Sequence, residues 1–119
     1  DTPENAEFIK TWRAFTKNDK RVTNDPMEAH VIGFNMWVKA VEKAGTTDPD
    51  AVIDAIIGVS VPNLSGGFSA MMPNHHITRP VLIGEVQENG QFDIVWSSEG
   101  PIEPDPFLEG YSWWDANAE

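Results

Sequence analysis

Adjacent His75 and His76 are the first residues in this sequence that could do chemistry. Two imidazoles can share a metal ion, but neighbours on a strand point to opposite sides, and helical metal pairs need spacings of three or four. The pair therefore reads as non-catalytic. His30 falls inside an apolar helical stripe, where a lone histidine packs and hydrogen-bonds rather than reacts. Glu103, Asp105 and Glu109 stand among prolines in an irregular stretch. Most other carboxylates occupy helix first turns or polar helix faces, where they serve capping and solubility. No carboxylate dyad emerges. Ser65-Gly66-Gly67 resembles a phosphate loop only in its glycines, because neither a Lys-Ser/Thr pair nor a helix follows. Trp12 and Trp37 lie on helical stripes and read as packing residues, while Trp113-Trp114 follow no periodicity. Read residue by residue, the chain has no catalytic constellation, and neither enzyme activity nor a metal or cofactor is expected.

The 119 residues are enough for one core. A 40% hydrophobic content with five Trp and six Phe is too apolar for a disordered chain. Nineteen acidic against eight basic residues give a net charge of −11. That charge repels phosphate backbones and anionic lipid, so no nucleic-acid partner and no membrane-surface partner is expected. No apolar run is long enough to span a bilayer, so no membrane insertion is expected. Cysteine is absent, which rules out disulfides and thiolate sites. The opening Asp1-Thr2-Pro3-Glu4-Asn5 lacks an initiator Met and the features of a signal peptide. The chain is therefore expected to be a segment of a longer protein.

Thr2 before Pro3 predicts a first helix over 3–17, with Phe8, Trp12 and Phe15 as its buried stripe and Ile9 beside them. Asp25-Pro26-Met27-Glu28 has the pattern of a capping box and starts a longer helix that stops at Gly45. Its expected buried stripe is Met27, Val31, Phe34, Trp37, Val38 and Val41, with Ile32 and Met36 interrupting the polar side so that a second contact face is expected. Asp48-Pro49 opens a third helix that buries Val52, Ile53, Ile56 and Ile57 and ends at Gly58. Residues 59–73 read as loop and short strand. Two β-rich runs then flank Asn89-Gly90, which predicts a hairpin with a two-residue turn. That turn would pair Gln87 with Phe92, Glu85 with Ile94 and Ile83 with Trp96, and the hairpin base is expected to be covered on both sides. Beyond Gly100, three prolines favour an irregular tail.

Several runs carry a resemblance. Val22-Thr23-Asn24-Asp25-Pro26-Met27-Glu28-Ala29 and Trp37-Val38-Lys39-Ala40-Val41-Glu42-Lys43-Ala44-Gly45 are two of them. Met72-Pro73-Asn74-His75-His76, Pro80-Val81-Leu82-Ile83-Gly84-Glu85-Val86 and Gly90-Gln91-Phe92-Asp93-Ile94-Val95-Trp96-Ser97 are the others. In order and spacing these resemble the urea and short-chain amide substrate-binding proteins of ABC importers. The likeness covers about residues 3 to 106, and two departures stand out: His30-Val31 replaces an expected aromatic, and the tail 107–119 lies outside the pattern.

The resemblance implies an α/β chain carrying part of a type I periplasmic-binding fold: three helices, then a β-hairpin and an irregular C-terminal tail. Residues 1–106 would be the C-terminal segment of the binding domain. The implied function is capture of urea or a short-chain amide in the periplasm for an ABC permease. The missing remainder of the binding protein would be the partner that completes the cleft. An amide-sensing regulatory module of the same fold is the alternative. A small amide demands directed hydrogen bonds from both sides of a cleft, because it offers little apolar area. Asp25 and Glu28, at the start of the long helix and where the resemblance is densest, are the candidate ligand-binding residues, with helix capping as their competing role.

Overall fold

Three helix starts are set by side chains that satisfy otherwise orphaned backbone N–H groups. Thr2 Oγ1 accepts from Asn5 N at 3.1 Å, Asn24 Oδ1 from Met27 N at 3.1 Å, and Asp48 Oδ1 from Ala51 N at 3.1 Å. A proline lies within the first two positions after each cap, where its missing N–H costs nothing. In the computed structural model, which describes residues 2–108, these caps open α1 (Pro3–Thr16), α2 (Asp25–Ala44) and α3 (Pro49–Ile56). The cap of α2 is Asn24 rather than Asp25, and Glu28 does not reach back to close a capping box. At its other end α2 stops at Gly45, whose N–H donates to Val41 O at 2.9 Å. The third helix ends at Ile56, two residues before the expected Gly58.

Two short antiparallel pairs follow. Strands β1 (Ser60–Pro62) and β2 (Phe68–Ala70) pair as Ser60 with Ala70, Val61 with Ser69 and Pro62 with Phe68. Beyond them, Met71 bridges Ile77 and Arg79 bridges Ile102. Strands β3 (Leu82–Val86) and β4 (Phe92–Ser97) form the expected hairpin in a corrected register. Gln87 N–H donates to Gln91 O and Gly90 N–H to Gln87 O, so the loop is three residues, 88–90, and not two. Gly90 at φ 79° supplies the left-handed residue that such a loop requires. Near the turn Val86 therefore faces Phe92, Glu85 faces Asp93 and Gly84 faces Ile94. An irregularity between Ile83 and Gly84 absorbs the extra residue and restores Ile83 opposite Trp96, as expected.

The core is Ile32, Met36 and Ala40 of α2 with Val52 of α3 and Val59 and Val61 at β1. This lies on the face of α2 roughly opposite the expected stripe. Phe34 and Trp37 of that stripe stack on each other at 5.9 Å and remain exposed, while Met27, Val31, Val38 and Val41 are half-buried. The reason lies in the lysines of the supposed polar side. Lys39 Nζ donates to Ser60 O at 2.9 Å and Lys43 Nζ to Ala55 O at 2.9 Å. Both lysines are exposed, and their ammonium groups meet carbonyls of β1 and the last turn of α3, where a cation is favoured. Small Ala40 between them lets α3 and β1 approach closely.

Burial elsewhere is thin. No residue of α1 is buried, and Phe15 is largely exposed, so its stripe packs only in part. Of the expected α3 face, Val52 is buried, Ile56 and Ile57 are half-buried, and Ile53 is exposed. Every residue of β3 and β4 is exposed, which overturns the covered hairpin base: no element among the described residues packs on either face. Inside the core, Asn63 donates through Nδ2 to Ser69 Oγ at 3.3 Å, and both residues are buried. The tail is irregular to Leu108, while Glu109, Tyr111, Trp113 and Trp114 lie outside the described residues.

Candidate functional site

The β1–β2 turn, residues 63–67, closes when Asn63 N–H donates to Gly67 O at 3.1 Å, and Gly66 and Gly67 both take positive φ. A chain folded this sharply presents backbone groups at its surface. Leu64 uses both of its own. Its N–H donates to Glu28 Oε1 at 2.9 Å, and its carbonyl accepts from Thr2 Oγ1 at 2.6 Å. Residues 2, 28 and 64 are thereby tied together across long stretches of chain. The glycine cluster is thus a turn at a cleft rather than a phosphate loop.

Glu28 has a second partner. Arg79 bonds Glu28 Oε2 through one guanidinium nitrogen, and Asp25 Oδ1 at 2.8 Å through the other. Glu28 is 13% exposed and Arg79 24%, while Asp25 is 74% exposed. The largely buried Arg79–Glu28 bond is worth roughly 1.5 to 3 kcal/mol, whereas the Asp25 contact, which water screens, is worth about 1 kcal/mol or less. The guanidinium fork spans two carboxylates that stand one helical turn apart and would otherwise repel.

Thr2, Asp25, Glu28 and Leu64 border a cleft of about 1130 Å³ that is open to solvent. The starts of α1 and α2 form one side, Ser65 and Gly66 another, and Asp93 and Ile94 of the hairpin the third. Both sequence-predicted residues, Asp25 and Glu28, lie on it. A second, more apolar cleft of about 550 Å³ separates α1 from α2 and is lined by Phe8, Trp12, Met27, His30 and Val31.

The histidines do not converge. His75 and His76 sit in an exposed turn, where His75 takes φ 60° and His76 Nδ1 lies 2.9 Å from Asn74 O. His30 is exposed rather than packed, with Nδ1 2.8 Å from Pro26 O. No group of three His, Cys, Asp or Glu is placed to hold a metal among the described residues. No helix among them is long and apolar enough to cross a membrane.

Sequence reasoning missed Arg79, Leu64 and Thr2 as partners in this network. One signal could have found the first: Arg79 is the sole Lys or Arg in the chain after Lys43. A lone cation in a long acidic stretch invites the question of which carboxylates it serves. Leu64 contributes only its backbone, which no side-chain pattern announces.

Limonene hydroxylase of Geobacillus stearothermophilus is 33% identical over 108 residues, which is 91% of this chain and 20% of that protein. The chain thus spans about a fifth of the length of the curated relative it matches. The sequence pattern of the periplasmic binding protein domain matches residues 1–112, nearly the whole chain. The mixed α/β order of helices and antiparallel strand pairs agrees with that match, and the chain belongs to the periplasmic binding protein domain family.

Proposed function

We propose that this chain supplies one wall of the solute cleft in a periplasmic binding protein, with urea or a short-chain amide as solute and an ABC permease as the receiving partner. Asp25 and Glu28 are the carboxylates of this wall, and the chain binds rather than catalyses. The observation that carries the reading is the convergence of the first turn of α2 with the Leu64–Gly66 turn on one open cleft. A neutral amide presents N–H donors that carboxylate oxygens accept, and a carbonyl that suits the positive end of a helix. So small a molecule is held by several directed bonds from two sides, so one wall is not enough.

Calorimetric titration tests this. Urea or acetamide should give saturable heat with the intact protein that carries this domain, and negligible heat with residues 1–119 alone. Tight binding by the 119-residue chain would contradict the one-wall reading, and no heat from the intact protein would remove amides as the solute class.

The apolar cleft between α1 and α2 supports a second reading, in which the solute is apolar. The relative whose name specifies limonene, a hydrocarbon, points the same way. Adding limonene to the same titration separates the two. Heat with limonene that disappears in Trp12→Ala, with none from acetamide, selects the apolar solute.

A further inference from the structure

Both carboxylates on the cleft, Asp25 and Glu28, pair with one cation, Arg79, that no helix cap or glycine signal announces. We propose that Arg79 is the positioning residue of this cleft. Its guanidinium holds Glu28 in the orientation that receives the Leu64 N–H, which sets the 64–66 turn as one side of the cleft and leaves Asp25 one unengaged carboxylate oxygen for a solute N–H. The proposal rests on the solute-binding reading above and goes further, because it divides the two carboxylates by role. Both oxygens of Glu28 are committed, one to Leu64 and one to Arg79. Asp25 gives only Oδ1 to Arg79 and is the more exposed of the two.

The backbone makes Arg79 a fixed anchor. Its N–H donates to Ile102 O at 3.3 Å and its carbonyl accepts from Ile102 N at 2.8 Å. Pro80 follows and restricts the conformation of Arg79 itself. From that point a planar fork reaches two carboxylates at once, which a single ammonium cannot do in the same geometry. Without the fork, Asp25 and Glu28 are like charges one turn apart on a helix. Glu28 then relieves the repulsion by turning to water, and the Leu64 N–H loses its acceptor. No other Lys or Arg follows residue 43 to substitute.

The test uses the intact protein carrying this domain, with Arg79→Met and Arg79→Lys. Hydrogen–deuterium exchange is read over residues 62–66 and over the core segment 32–40, beside the melting temperature and acetamide titration. Arg79→Met should speed exchange at Leu64 by about tenfold or more while segment 32–40 stays as protected as in the parent. It should also weaken acetamide by about tenfold. Arg79→Lys should recover the melting temperature but not slow exchange at Leu64. Unchanged exchange at Leu64 in Arg79→Met overturns the proposal, and so does full recovery of both readouts by lysine, since a point charge would then suffice. Should Arg79→Met also deprotect segment 32–40, the lysine variant decides. A parent that binds no urea or acetamide refutes the solute reading alone, because exchange at Leu64 still reports on Arg79.

Discussion

The α2–α3–β1 region and the β3–β4 hairpin draw on similar residues and end in opposite states. The first buries Ile32, Met36, Ala40, Val52, Val59 and Val61 against one another. The second carries Leu82, Ile83, Val86, Phe92, Ile94, Val95 and Trp96, all exposed. Its strands are nonetheless well paired, from Val86–Phe92 to Leu82–Ser97. Ladder formation and burial are therefore separate events here. The turn and the strand propensities make the hairpin, and a two-sided apolar hairpin waits for cover that the described residues do not provide. In the first region local rules and tertiary cover coincide; in the second only the local rules operate.

The contrast predicts a wide spread of mutational effects in this chain. Met36→Ala should cost about 2 to 5 kcal/mol, because a fully buried side chain leaves a cavity between α2, α3 and β1. Urea denaturation with an unchanged slope would measure it, and a loss below about 1 kcal/mol would show that this region is not the core. Asn24→Ala should cost about 1 kcal/mol, since it removes only the acceptor for Met27 N–H at the start of α2. A lower melting temperature with unchanged core exchange would be the signature. Trp96→Ala should be the smallest, below about 1 kcal/mol, since half of the ring's residue surface is already in water. The same substitution costing about 3 to 5 kcal/mol in the intact protein would show that the hairpin is covered there.

What the sequence showed and what it hid follow the same division. Helix starts were legible at Thr2, Asp48 and, within one residue, at Asn24, because caps and prolines act over three or four residues. The hairpin was legible for the same reason, while its three-residue loop was not, since Asn89-Gly90 suits two turn types, and Ile83 meets Trp96 only because the irregularity between Ile83 and Gly84 offsets that difference. The buried face of α2 is hard to read because both of its faces are apolar and its exposed lysines flank the buried face, bonding carbonyls of β1 and α3. Periodicity locates an apolar stripe, but only the neighbours decide which stripe is covered. In the candidate site, Asp25 and Glu28 were visible as helix-start carboxylates. Arg79, fifty-one residues from Glu28, and the backbone of Leu64 were not, because no local pattern encodes a contact at that range.

The central proposal is that the carboxylate end of α2 forms one wall of a solute cleft. Its sharpest test is the dissociation constant of acetamide, measured by calorimetry on the intact protein and its Glu28→Gln variant at matched melting temperature. The substitution keeps an acceptor for Leu64 N–H but removes the charge that engages Arg79. An affinity at least about tenfold weaker, some 1.4 kcal/mol, is the predicted result; an unchanged affinity would contradict the account and leave Glu28 as a brace between α2, Leu64 and Arg79 with no part in binding.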